Sequence, residues 1–118
     1  MGTYVGVRGW LEFTHEQRAA VEEVLAAHRH DPYSDGWAVP ARPFNWTLYV
    51  SHGGDVRAPS VDWLRSQVAE LALLADSDGD RPVGFFLLTD ERRHATAWTV
   101  RDGVAHEGAA PEELRGFA

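Results

Sequence analysis

His52 and Asp55 bracket Gly53 and Gly54 in the stretch FNWTLYVSHGGD, Phe44 to Asp55. A histidine and a carboxylate on a glycine turn at a strand end are the residue types for proton transfer, and together they define the enzymatic alternative for this chain. No serine, threonine or lysine in a nucleophile motif accompanies them. The turn also lacks the lysine and spacing of a phosphate-binding loop. Paired glycines otherwise serve to reverse the chain, since they accept positive φ, and that is the favoured reading here. No catalytic residue is therefore assigned.

Metal chemistry gains little from the sequence. Asp76, Asp78 and Asp80 imitate the first half of a calcium loop, but Arg81 and Leu87 stand where an EF-hand needs glycine and a bidentate glutamate. A solvated helix-exit loop is expected, available as an acidic contact for a cationic partner. His28 and His30, two apart, would leave different faces of a helix and fit no zinc spacing. No metal and no cofactor are expected.

Aromatic residues are the stronger signal. The chain has five tryptophans: Trp10, Trp37, Trp46, Trp63 and Trp98. Trp46 reads as core or sheet-face packing. Trp10 shares a strand face with Tyr4, Arg8 and Glu12, while Tyr49 lies on the face of its strand opposite Trp46. An aromatic, arginine-bearing sheet face has the composition of a protein interface.

The elements that must position these residues follow from periodicity. Thr3 to Phe13 is a strand with Val5, Val7, Leu11 and Phe13 on one face and Tyr4, Arg8, Trp10 and Glu12 on the other. Thr14 and Gln17 have the form of a capping box, opening a helix to about Arg29 that carries Val21, Val24, Leu25 and His28 on one side; Asp31-Pro32 ends it. Gly36 to Val39 reads as a short strand, and Pro40 to Pro43 as a turn into a central strand from Phe44. Ser60 is the expected N-cap of a second helix, with Asp62 in its first turn and Val61, Leu64, Val68, Leu71 and Ala75 as its inward stripe. Trp63 lies off the centre of that stripe. Val83–Thr89 and Arg93–Arg101 are strands, Asp102-Gly103 is a type I′ hairpin signal, and Val104–Glu107 is a short last strand. The tail from Gly108 should pack loosely.

The order is βαββαββ with a short final strand. It predicts one α+β domain over residues 1–118, a mainly antiparallel sheet with two helices on one face, related to ferredoxin-like topologies. With one face covered, the other is left to be explained.

Composition narrows the partners. The 118 residues carry 18 acidic and 11 basic side chains, every basic one an arginine, for a formal net charge of −7. Such a surface repels nucleic acid and anionic lipid and attracts a basic protein. Cysteine is absent, which excludes disulfides and thiolate chemistry. With no signal segment and no apolar run near the ~20 residues that span a bilayer, a cytoplasmic protein is expected.

The opening Tyr4-Val5-Gly6-Val7-Arg8-Gly9-Trp10-Leu11-Glu12 resembles immunity proteins of bacterial polymorphic toxin and contact-dependent inhibition systems. Gly36-Trp37, Asn45-Trp46-Thr47, Gly53-Gly54-Asp55, Trp63-Leu64 and Trp98-Thr99-Val100-Arg101-Asp102-Gly103 extend the resemblance over most of the chain. It implies a protein that binds one cognate toxin domain, often a nuclease, and blocks it without catalysis of its own. An acidic inhibitor can occupy the cationic cleft with which a nuclease holds its substrate. On that expectation Asp31, Asp35, Asp55, Asp76, Asp78 and Asp80 supply electrostatics, and Tyr4, Arg8, Trp10 and Trp37 anchor the partner. The other readings are the His52 and Asp55 enzyme and a homo-oligomer pairing through its exposed sheet face.

Overall fold

Strand β1 (Tyr4–Thr14) organises the sheet, because its 11 residues pair along nearly their whole length with a strand on either side. The computed structural model describes residues 3–29, 33–42 and 45–117. In chain order it contains β1, α1 (Arg18–Ala27), β2 (Trp37–Ala38), β3 (Thr47–Arg57), α2 (Val61–Ala72), β4 (Val83–Asp90), β5 (Ala95–Arg101) and β6 (Val104–Ala109). The six strands form one antiparallel sheet in the order β2-β3-β1-β4-β5-β6. Since β3 and β4 both run antiparallel to β1, they are parallel to each other and joined by α2 around it. This is a split β-α-β unit, the part of the fold that relates to ferredoxin-like topologies. β4, β5 and β6 then follow as a meander.

The covered face is set by alternation. Val7, Leu11 and Phe13 of β1, Leu48 and Val50 of β3, Phe86 and Leu88 of β4, and Trp98 and Val100 of β5 are buried against Leu64, Val68 and Leu71 of α2 and Val21 of α1. Truncating one of the fully buried leucines should cost about 2–5 kcal/mol. Polar ties fix the helices on this core. The Gln17 side chain, itself buried, accepts from the Thr14 backbone N–H at 3.1 Å and donates to the Leu74 carbonyl at 3.3 Å. The Trp63 indole N–H donates to the His28 carbonyl at 2.6 Å, so Trp63 flanks the core.

Several expected boundaries move, each for a local reason. The capping box at Thr14 is present but opens a 3₁₀ turn, His15–Gln17, before α1 begins. α1 ends at Ala27, short of Arg29. Ser60 precedes α2 as expected, yet its side chain makes no capping bond because another 3₁₀ turn, Ala58–Ser60, leads into the helix. The glycine pair at Gly53-Gly54 is not a turn: β3 runs through it to Arg57, held by continuous pairing with β1 from Thr14↔Thr47 to Tyr4↔Arg57. Gly54 has φ of +151°, which a glycine adopts without strain. Nor is β3 central, since β1 and β4 occupy the middle of the sheet. Phe44, Pro43 and the expected helix stop at Asp31-Pro32 lie outside the described residues.

The Asp102-Gly103 hairpin has φ of +53° and +79°, as a type I′ turn requires. β6 runs on to Ala109, and the segment beyond it is not loose. Ala110 is buried, and a 3₁₀ turn over Glu112–Phe117 lays Leu114 against Leu87 and Ala97 on the second face of the sheet. The alternating apolar residues of this tail are too few to signal packing in the sequence. They close only one end of the face, and the rest stays open.

Candidate functional site: the open face of the sheet

Strand register brings side chains into rows across the uncovered face. Ser51, Trp10, Phe85, Thr99 and His106 are successive cross-strand neighbours on β3, β1, β4, β5 and β6. The next row toward the end of the sheet holds Tyr49, Glu12 and Val83. On the other side lie Gly53 beside Arg8, and then Asp55 beside Gly6. Trp10 and Tyr49 remain 42% and 50% exposed, their rings in an edge-on contact with centroids 6.2 Å apart. The Tyr49 hydroxyl donates to Glu12 at 3.2 Å. That bond and the adjacent carboxylate charge hold the phenol above its ordinary pKa.

Of the residues singled out from the sequence, Tyr4, Arg8 and Trp10 share this face, as the alternation of β1 required, and Asp55, expected on a turn, joins them because β3 runs on through the glycine pair. Trp37 does not. It faces the core, its ring 5.0 Å from that of His52 and 6.1 Å from that of Phe86, with its indole N–H donating to Gln67 at 2.8 Å. Its chemistry is that of a structural tryptophan. Asp35 is at the β2 edge of the sheet, paired with Arg29 at 3.2 Å. Asp31 lies outside the described residues.

His52 and Asp55 do not meet. On a continuous strand, positions three apart leave opposite faces. His52 is 3% exposed on the helix side, with one ring nitrogen, Nε2, 3.2 Å from the Tyr33 carbonyl and the other, Nδ1, without a partner among the described residues. Burial pushes its imidazole below the ordinary pKa. Asp55 is exposed on the open side, where a Cβ added at Gly6 would come within 3.4 Å of its carboxylate.

Asp76, Asp78 and Asp80 converge, each offering an oxygen within 4.8 Å of the others. The loop accounts for this by itself. One oxygen of Asp76 accepts the backbone N–H groups of Asp78 and Asp80, both at 2.9 Å, and Gly79 supplies the positive φ of +83°. Ser77 ties the loop to Glu16 at 2.9 Å. The loop sits beyond the Glu12 end of the open face, across a groove of about 250 Å³ that Glu12, Asp76 and Asp80 line together with Trp46.

Trp46 is the largest correction. It is 76% exposed, not packed in the core. Asn45 has φ of +56°, so the alternation that would have carried Trp46 inward does not extend back past Thr47. Phe85 was missed as a face residue for a different reason: VGFFLLT is apolar on both sides, and alternation is invisible in such a run.

No protein-family model, curated protein or solved structure matches this chain. Among the described residues, no helix is long and apolar enough to cross a membrane.

Proposed function

We propose that this protein is an immunity protein that binds and neutralises a cognate, basic toxin domain through the open face of its sheet, in the cytoplasm where such a toxin would act. The observation that carries the reading is the exposed Trp10 and Tyr49 pair, continuous through Glu12 with the Asp76–Asp80 loop. Rigid aromatic rings on a strand lose little entropy on binding and supply the apolar centre of an interface. The flanking carboxylates would speed encounter with a cationic surface and fix its orientation. A net charge of −7 adds to the same attraction. The resemblance to immunity families supplies the class of partner.

The enzymatic alternative draws no support from the arrangement of His52 and Asp55, whose side chains leave opposite faces. Co-expression with the C-terminal domain of a large protein encoded beside this one tests the proposal. Restored growth and a stable co-purified complex are expected. Toxicity without rescue or binding would remove the reading for that pair.

A further inference from the structure

At the end of the sheet, the groove between Glu12 and the Asp76–Asp80 loop is lined by Glu12, Asp76 and Asp80 and by the exposed apolar side chains of Val83 and Trp46. Its charge is not neutralised from within. The one arginine of the lining, Arg81, directs its guanidinium to the Gly103 turn, within about 3 Å of where a Cβ would stand there. Among the described residues, no arginine or histidine forms an ion pair with Glu12, Asp76 or Asp80. One oxygen of Asp76 is occupied by the backbone of its own loop and one oxygen of Glu12 by the Tyr49 hydroxyl, which leaves the second oxygen of Glu12 and the Asp80 carboxylate to receive a partner.

Trp46 is set in place before any partner arrives. The φ of +56° at Asn45 turns it out of the strand. Its carbonyl accepts the His15 N–H at 2.9 Å, and its ring rests 5.3 Å from the His15 imidazole. An exposed indole held this way over an acidic, partly apolar groove is complementary to one kind of side chain: a long aliphatic stem ending in a flat cation.

We infer that this groove receives a single arginine side chain of the protein partner, its guanidinium lying on the Trp46 indole between Glu12 and Asp80. The inference rests on the partner-binding role proposed above and names the chemistry at one point of it. Arginine fits better than lysine because its planar fork can stack on the indole and meet a carboxylate edge-on at once. A bare metal ion would use neither Trp46 nor Val83.

The test is a titration of isotope-labelled protein with the capped pentapeptide Gly-Gly-Arg-Gly-Gly and its lysine counterpart, followed by nuclear magnetic resonance. The arginine peptide should shift the Trp46 indole N–H and the amides of Glu12 and Asp80 in a saturable way. The lysine peptide should bind more weakly, and Trp46→Ala or the Glu12→Gln, Asp80→Asn pair should weaken arginine binding about fivefold or more. Both variants alter exposed or half-exposed side chains, and their folding is checked by circular dichroism. Shifts spread over the whole acidic surface, equal response to both peptides, or undiminished binding by Trp46→Ala would overturn the inference. In the co-expression assay, equal rescue by wild type and both variants would sink the groove and leave the immunity role standing. Failure of wild type to rescue would count against the role alone, with the titration still deciding the groove.

Discussion

His52→Leu should remove a pH-dependent weakness from the fold. His52 is 3% exposed, its Nδ1 has no partner among the described residues, and it lines a cavity of about 300 Å³ with Tyr33, Gly36, Asp35 and Asp55, although among the described residues neither carboxylate forms an ion pair with its ring. Asp35 is paired with Arg29, and the Asp55 carboxylate lies beside Gly6 on the other side of the sheet. In the unfolded chain the imidazole titrates near 6.5, whereas burial lowers it in the fold. Below about pH 6.5 the unfolded state therefore binds more protons than the folded one, and stability falls as pH falls until the depressed folded value is reached. The slope approaches about 1.4 kcal/mol per pH unit. With a urea sensitivity of about 1–3 kcal/mol per molar, the midpoint should drop by at most roughly half to one and a half molar for each unit of acidification. Urea melts of wild type and His52→Leu between pH 8 and pH 5 measure this. The variant should match the wild type within about 1 kcal/mol at pH 8, because an unpaired polar atom is exchanged for apolar volume, and the difference should turn in its favour as pH falls. Parallel pH profiles for the two proteins would refute the reasoning.

Other outcomes follow from packing and from local charge. Gly9→Ala would place a Cβ 2.3 Å from the Phe85 carbonyl oxygen and 2.6 Å from the Phe86 Cα, backbone that cannot move aside, so thermal melts should show a loss of at least about 2 kcal/mol. Leu114→Ala should cost about 1 kcal/mol and raise hydrogen exchange near Leu87 and Ala97, because the C-terminal turn covers those residues; unchanged exchange would show the tail to be unimportant. Glu12→Gln should return the Tyr49 phenol toward its ordinary pKa, since the carboxylate is the main cause of its elevation, and ultraviolet difference absorbance reads that titration directly.

How far the sequence disclosed this arrangement depended on what each stretch had to distinguish. β1 was legible because its two faces differ in kind, valine, leucine and phenylalanine against tyrosine, arginine, tryptophan and glutamate. The same alternation marks the open face. Helix α2 announced itself through Leu64, Val68 and Leu71 at helical spacing, and the Asp102-Gly103 hairpin through its turn chemistry. The Gly53-Gly54 pair misled because local preference for a turn yielded to eleven consecutive pairs with β1, a non-local constraint. Trp46 misled because one left-handed residue, Asn45, ends the alternation, and asparagine can sit in either conformation. His52 and Asp55 looked like a site only while the chain was assumed to turn between them. Once β3 is continuous, they belong to different faces.

The partner-binding claim for the open face is tested most directly by the double variant Trp10→Ala, Tyr49→Ala in the growth-rescue assay, with His52→Leu alongside as a change on the opposite face. Both variants should fold. The account predicts that the open-face variant loses rescue and co-purification with the toxin domain while His52→Leu retains them; full rescue by the open-face variant would contradict it.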